Sequence, residues 1–96
     1  MARRPMAPTE HPTYAVEIEP EAWEKIMALP ERTQERIFAA IEALEANPRP
    51  GGTKALKGKW HGYLRVRVGN YRVVYAIEDN RLVVIVVTVG DRKDVY

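Results

Sequence analysis

From Tyr14 to Ile18 the chain alternates: Tyr14, Val16 and Ile18 interleave with Ala15 and Glu17. A period of two is that of a half-buried strand. The period then changes. Pro20 suits a first helical turn, where its missing N–H is no loss, and it opens a short helix with Trp23, Ile26 and Met27 on one stripe. Leu29 and Pro30 end that helix. A second helix is predicted from about Glu31 to Ala46, with Ile37, Ala40, Ile41 and Leu44 at the i, i+3, i+4, i+7 spacing of a core-facing stripe. Asn47, Pro48, Arg49, Pro50, Gly51 and Gly52 stop it. On these periods Trp23, Ile26, Ile37, Ile41 and Leu44 belong to the core.

The second half of the chain returns to a period of two. Leu64, Val66 and Val68 alternate with Arg65 and Arg67, and after Gly69 and Asn70 the sequence Tyr71, Arg72, Val73, Val74, Tyr75 continues the pattern. A two-residue turn with glycine first has the type II′ signature, so Val68 should pair with Tyr71 and Arg67 with Arg72. Alternation then sets Arg65, Arg67 and Arg72 on one face, and Leu64, Val66, Val68, Tyr71, Val73 and Tyr75 on a core face. A second two-residue turn at Asp79 and Asn80 should bring Glu78 against Arg81 and return the chain through Leu82 to Val89. In that register Val83, Ile85 and Val87 form an apolar strip beside Arg72. The strip is either a partner surface or is covered by the C-terminal residues or the loop from Gly52 to His61.

The elements assemble into an α+β fold: an N-terminal strand, a helical hairpin, then a three-stranded antiparallel meander, in one sheet with the helices packed on one face. The first strand is expected beside the last long strand, as a mixed or antiparallel edge. Ninety-six residues suffice for one domain, 13–96, preceded by a flexible leader, 1–12, that contains three prolines and two arginines. There is no cysteine, and His11 and His61 are the only histidines, so neither a disulfide framework nor a metal site or other cofactor is expected. No run approaches the length of a membrane helix, and the start lacks the apolar stretch of a signal peptide. A cytoplasmic protein is expected.

Charge changes the picture more than composition does. Residues 1–50 carry six Lys or Arg against nine Asp or Glu, a balance of −3, whereas residues 51–96 carry nine against four, a balance of +5. Opposed cations destabilise a strand pair. Such a cost is tolerated for an anion, and the basic half points at nucleic acid or an acidic protein. Alone, Arg65 and Arg67 would read as solvated residues on an exposed sheet face, but their opposition to Arg72 lifts them above that reading. Lys54, Lys57 and Lys59 are candidate RNA-binding residues that would position phosphates, and equally a basic loop. Trp60 and Tyr63 could stack on bases or cap a small core. Tyr71 and Tyr75 fall on the core face, and His61 is a loop histidine with no required role.

The order strand, helical hairpin, proline-rich stop, then Lys54, Leu56 and Gly58, Tyr63 to Val68, Tyr71 to Tyr75, and a final Val89, Gly90, Asp91, Arg92 and Tyr96 resembles the RelE branch of the RelE/ParE toxin superfamily of bacterial type II toxin–antitoxin pairs. The resemblance runs from Tyr14 to Tyr96. It implies a RelE-like fold and a ribosome-dependent endoribonuclease that cuts messenger RNA in the decoding site, silenced by a cognate antitoxin. It also implies that Arg65, Arg67, Arg72 and Arg92 are catalytic, together with Tyr96. Asp91 departs from the pattern, standing where many relatives carry histidine or lysine, and a carboxylate there would weaken phosphate binding.

Metal-independent cleavage drives the ribose 2′-hydroxyl onto the adjacent phosphorus. Guanidinium groups stabilise the phosphate oxygens but stay protonated, so they make poor bases. Tyr96 is the candidate acid or base, and neighbouring cations favour its ionised form. The ParE branch shares the fold without a comparable nuclease cluster, so the alternative is a DNA gyrase inhibitor, or a degenerate non-enzymatic toxin.

Overall fold

The computed structural model describes residues 13–91. The leader expected over 1–12, and Arg92 and Tyr96, lie outside the described residues. Strand β1 spans Ala15–Ile18, helix α1 Pro20–Met27, helix α2 Glu31–Ala43, strand β2 Lys54–Ala55, β3 Leu64–Val68, β4 Tyr71–Glu78 and β5 Val83–Asp91, with a 3-10 turn at Gly58–Trp60. The five strands form one sheet in the order β1-β5-β4-β3-β2. Strand β1 lies parallel to β5, from Ala15 beside Val83 to Ile18 beside Val86, and the remaining pairs are antiparallel. The expected mixed edge is thus present, and the α+β architecture with helices against one face is that of the sequence reading.

The β3–β4 hairpin has the predicted register, with Val68 opposite Tyr71 and Arg67 opposite Arg72. Gly69 adopts φ +59° while Asn70 does not enter the left-handed region, as a type II′ turn requires. A side chain at Gly69 would also come within 3.3 Å of the Arg36 guanidinium. The β4–β5 connection differs from expectation. It takes four residues, Asp79 to Leu82, so Glu78 faces Val83 across the sheet, and Arg81 meets Glu78 as a local ion pair within the turn instead of across strands. Arg81 N donates to Glu78 O at 3.1 Å and Leu82 N to Asp79 O at 3.3 Å, with Leu82 at φ +55°, and the Asp79 side chain is held from outside the turn. Tyr14 Oη donates to its Oδ1 at 2.7 Å, and the Arg49 guanidinium donates to both its oxygens at 3.2 and 2.9 Å.

A β-bulge adds a further offset. Tyr75 pairs with Val86 but Val74 with Thr88, leaving Val87 as the extra residue. Arg72 therefore faces Gly90 rather than Val87. The expected strip dissolves: Val83 and Ile85 stay on the arginine-bearing face but next to Glu78 and Ala76, and Val83 is buried.

The core combines Ala22 and Ile26 of α1, Ile37, Ile41 and Leu44 after the predicted stripe of α2, and Val73, Tyr75, Val84, Val86 and Val89 of the sheet. Trp23 corrects the sequence reading: it is 48% exposed and rests on Phe38 with ring centroids 5.5 Å apart. The small Ala22 takes the inward position, which lets α1 lie close to the sheet. Helix α2 ends near Ala43 rather than Ala46 because its last turn tightens, Leu44 N donating to Ile41 O and Glu45 N to Glu42 O at 3.0 Å. Among the described residues no helix is long and apolar enough to cross a membrane.

The Tyr14–Asp79–Arg49 latch joins β1, the α2–β2 connection and the β4–β5 turn. Hydrogen bonds, first from Arg49 and then from Tyr14, hold the Asp79 carboxyl below its ordinary range. A depressed carboxylate adds stability above its unfolded pKa and loses it as pH falls through the folded value. Urea unfolding of wild type and Asp79→Asn should therefore differ at neutral pH and converge as pH falls through the lowered folded value. A gap that persists in acid would show that the carboxylate charge is not what holds the latch.

Candidate functional site

Two cross-strand rows build the basic face. In one, Lys54, Arg65, Val74 and Thr88 stand side by side across β2, β3, β4 and β5. In the next, Arg67 faces Arg72, which faces Gly90. The sheet thus opposes like charges twice, Lys54 with Arg65 and Arg67 with Arg72. The centre of the face is dry: Val74 is fully buried, Thr88 is 5% exposed and accepts a hydrogen bond from Lys25 Nζ at 3.2 Å, and Arg65 is only 8% exposed.

Arg65 is the unusual member. No hydrogen bond or ion pair joins its side chain to another described residue, and its Nε is buried without an acceptor. A buried donor left unpaired costs about 1–3 kcal/mol, more when charged. Arg67 is exposed and Arg72 half-buried, so burial falls from Arg65 through Arg72 to Arg67.

Strand β2 was missed in the sequence because it is two residues long and both are exposed. It has a functional consequence, since it sets Lys54 directly opposite Arg65. Lys54 and Lys57 line a cavity with Arg65, whereas Lys59, in the 3-10 turn, does not. Trp60 lines the same cavity, its ring perpendicular to Tyr63 at a centroid distance of 5.5 Å. The signal for Trp60 was its place two residues before Gly62 and three before Tyr63, where Tyr63 N closes a turn on Trp60 O at 3.0 Å.

Asp91 faces Tyr71 and lines a second cavity with Lys25 and Leu29 of the helical side. It therefore sits on the face opposite the arginines, and the objection raised by its carboxylate loses its geometric basis. Tyr75 is fully buried, its hydroxyl donates to Pro48 O at 2.8 Å, and burial pushes it up from its ordinary pKa. It is a packing residue, as the sequence implied. His61 is exposed at the end of the 3-10 turn. No group of three or more His, Asp or Glu side chains gathers as a metal site among the described residues. The described face can therefore bind and polarise an anion; Tyr96 lies outside the described residues.

No curated protein sequence matches the chain. Among solved structures it is similar to the toxin–antitoxin complex RelBE2 from Mycobacterium tuberculosis, at 26% identity and TM-score 0.75 over 83% of this chain and 99% of that one. It is similar also to the archaeal RelE–RelB complex from Pyrococcus horikoshii, at 26% identity and TM-score 0.74 over 85% and 98%. The intact Escherichia coli RelBE complex matches at 25% identity and TM-score 0.68 over 81% and 95%. The family described as ParE toxin of the type II toxin–antitoxin system parDE matches residues 16–96, all but the first fifteen. The strand order, the helical hairpin and the match over nearly the whole described domain lead to one assignment: the chain belongs to the ParE toxin family, within the RelE/ParE superfamily of type II toxin–antitoxin toxins.

Proposed function

We propose that this toxin is a metal-independent endoribonuclease that cuts messenger RNA in the decoding site of cytoplasmic ribosomes and so inhibits translation. The observation that supports the reading most is the opposition of Arg67 to Arg72 beside a buried, unpaired Arg65. Planar guanidinium groups bind phosphate oxygens bidentately and stabilise the charge that grows there as the 2′-hydroxyl attacks. Arg65, Arg67, Arg72 and Arg92 grip the scissile phosphate in this scheme, and Tyr96 moves a proton. Lys54, Lys57 and Lys59 hold flanking phosphates. A cognate antitoxin would restrain the toxin, as the RelBE complexes pair a toxin with an antitoxin.

One observation favours a second reading. The matching family is that of ParE, and inhibition of DNA gyrase needs no nuclease cluster. Toeprinting of messenger RNA on programmed ribosomes separates the two. With wild type, cuts should fall inside the decoding-site codon, and Arg72→Ala should slow them about 10²-fold or more. Absence of cuts by a protein that is toxic and induces DNA damage would replace the nuclease with the gyrase inhibitor.

A further inference from the structure

A cavity of about 350 Å³ opens beside Arg65, lined by Lys54, Ala55, Leu56, Lys57, Trp60 and Arg65. That volume lies within the range of clefts that enclose small ligands, about 300–1,000 Å³. Three of its six lining residues are cations and none is a carboxylate. Arg65 is more than nine-tenths buried and meets no counter-charge among the described residues, with Lys54 placed directly against it. A buried cation without a partner is costly, and a second cation opposite raises the cost, so the site is built for an anion.

The rest of the lining narrows the class. Ala55 and Leu56 are apolar, and the Trp60 ring is fixed by its edge contact with Tyr63. Trp60 Nε1, like Arg65 Nε, is buried without an acceptor. An acidic side chain would answer the charge but leave the aromatic wall empty. A nucleotide answers both, since its base stacks on an indole and its phosphate takes the cations. Arg65 also belongs to the face that carries Arg67 and Arg72, so cavity and face share a wall.

We propose that this cavity is a nucleotide subsite, which takes the base next to the scissile phosphate on Trp60 and its own phosphate on Lys54 and Lys57, with Arg65 on the wall shared with the scissile phosphate. Its position beside the cut rests on the endoribonuclease reading; its affinity for RNA does not. The subsite makes Trp60 a determinant of sequence preference rather than of rate.

The test uses a labelled 2′-O-methyl RNA trinucleotide, which binds but cannot be cleaved, followed by fluorescence anisotropy. Trp60→Ala should bind it roughly tenfold more weakly. Trp60→Phe, which keeps a ring for Tyr63 to pack against, should retain most of the affinity and guards against a folding defect. In a Trp23→Phe background Trp60 is the only tryptophan of the chain's two, and the trinucleotide should quench its emission. On programmed ribosomes Trp60→Ala should redistribute the cuts among codons. Unchanged affinity together with unchanged codon distribution overturns the subsite even where wild type cuts. Trp60-dependent binding with no cuts by wild type sinks the nuclease reading and leaves the subsite standing. Quenching by an acidic peptide but not by RNA assigns the cavity to a protein partner and overturns the proposal.

Discussion

Replacing Arg65 with methionine is expected to give a toxin that melts at a higher temperature than wild type and cuts messenger RNA roughly 10²- to 10³-fold more slowly. The two effects have one origin. Arg65 is 8% exposed, has no partner for its buried Nε, and faces Lys54 across the β2–β3 pair. Removing a cation from water without a counter-charge costs several kcal/mol, and well-packed apolar replacements at buried charged sites often stabilise by about 1–4 kcal/mol. Methionine is unbranched and adaptable, so it can fill the space of the arginine stem. In a domain of this size each kcal/mol moves the melting temperature by about 4–8 °C. Calorimetry and single-turnover cleavage on programmed ribosomes measure the two halves separately. A stabilised variant that still cuts would take Arg65 out of the phosphate grip, and a destabilised one would show that the guanidinium supports the fold.

Ile26→Ala should cost about 2–5 kcal/mol of stability, a large part of the roughly 5–15 kcal/mol available to a domain. Helix α1 has eight residues, fewer than the ~12–15 at which an isolated helix becomes even marginal in water. It therefore stands because it is docked, and Ala22 and Ile26 are its only buried residues. Met27 is the control, since it is 40% exposed and one position along. Met27→Ala should stay within about 0.5 kcal/mol of wild type. Urea unfolding followed through Trp23, on the same helix, compares the pair. Equal losses from both variants would contradict the observed orientation of α1.

That orientation was also the sequence reading's main error in the helical half. Trp23, Ile26 and Met27 satisfy a helical stripe, but periodicity fixes the stripe only to within one position, and alanine at 22 was the better neighbour for a sheet approached closely. In the sheet, the β3–β4 hairpin was legible because Gly69 permits one short turn and thereby one register. The approach of Arg67 to Arg72 followed from that alone. The β4–β5 register was not legible, because the turn takes a left-handed Leu82 that its residue type does not announce, and the partners that hold the Asp79 side chain lie 65 and 30 residues away, at Tyr14 and Arg49. Strand β2 was too short to show a period, so the opposition of Lys54 to Arg65 was hidden. The burial of Arg65 was hidden too: alternation assigns a face, but not the depth of a residue within it.

The bulge at Val87 has a consequence for how charge is distributed over this molecule. A strand is read in steps of two, and one added residue exchanges the two faces for everything downstream unless a bulge absorbs it. Were Val87 paired with Val74 in a regular ladder, Asp91 would fall on the arginine side, where its carboxylate could neutralise from within the cations that the sheet assembles. With Val87 set out of the ladder as the bulge, Gly90 stands beside Arg72 and the carboxylate faces the helices. The charge carried into the basic face is thus a matter of parity: the bulge takes up the odd residue, and the ladder beyond it keeps the carboxylate away from the arginines.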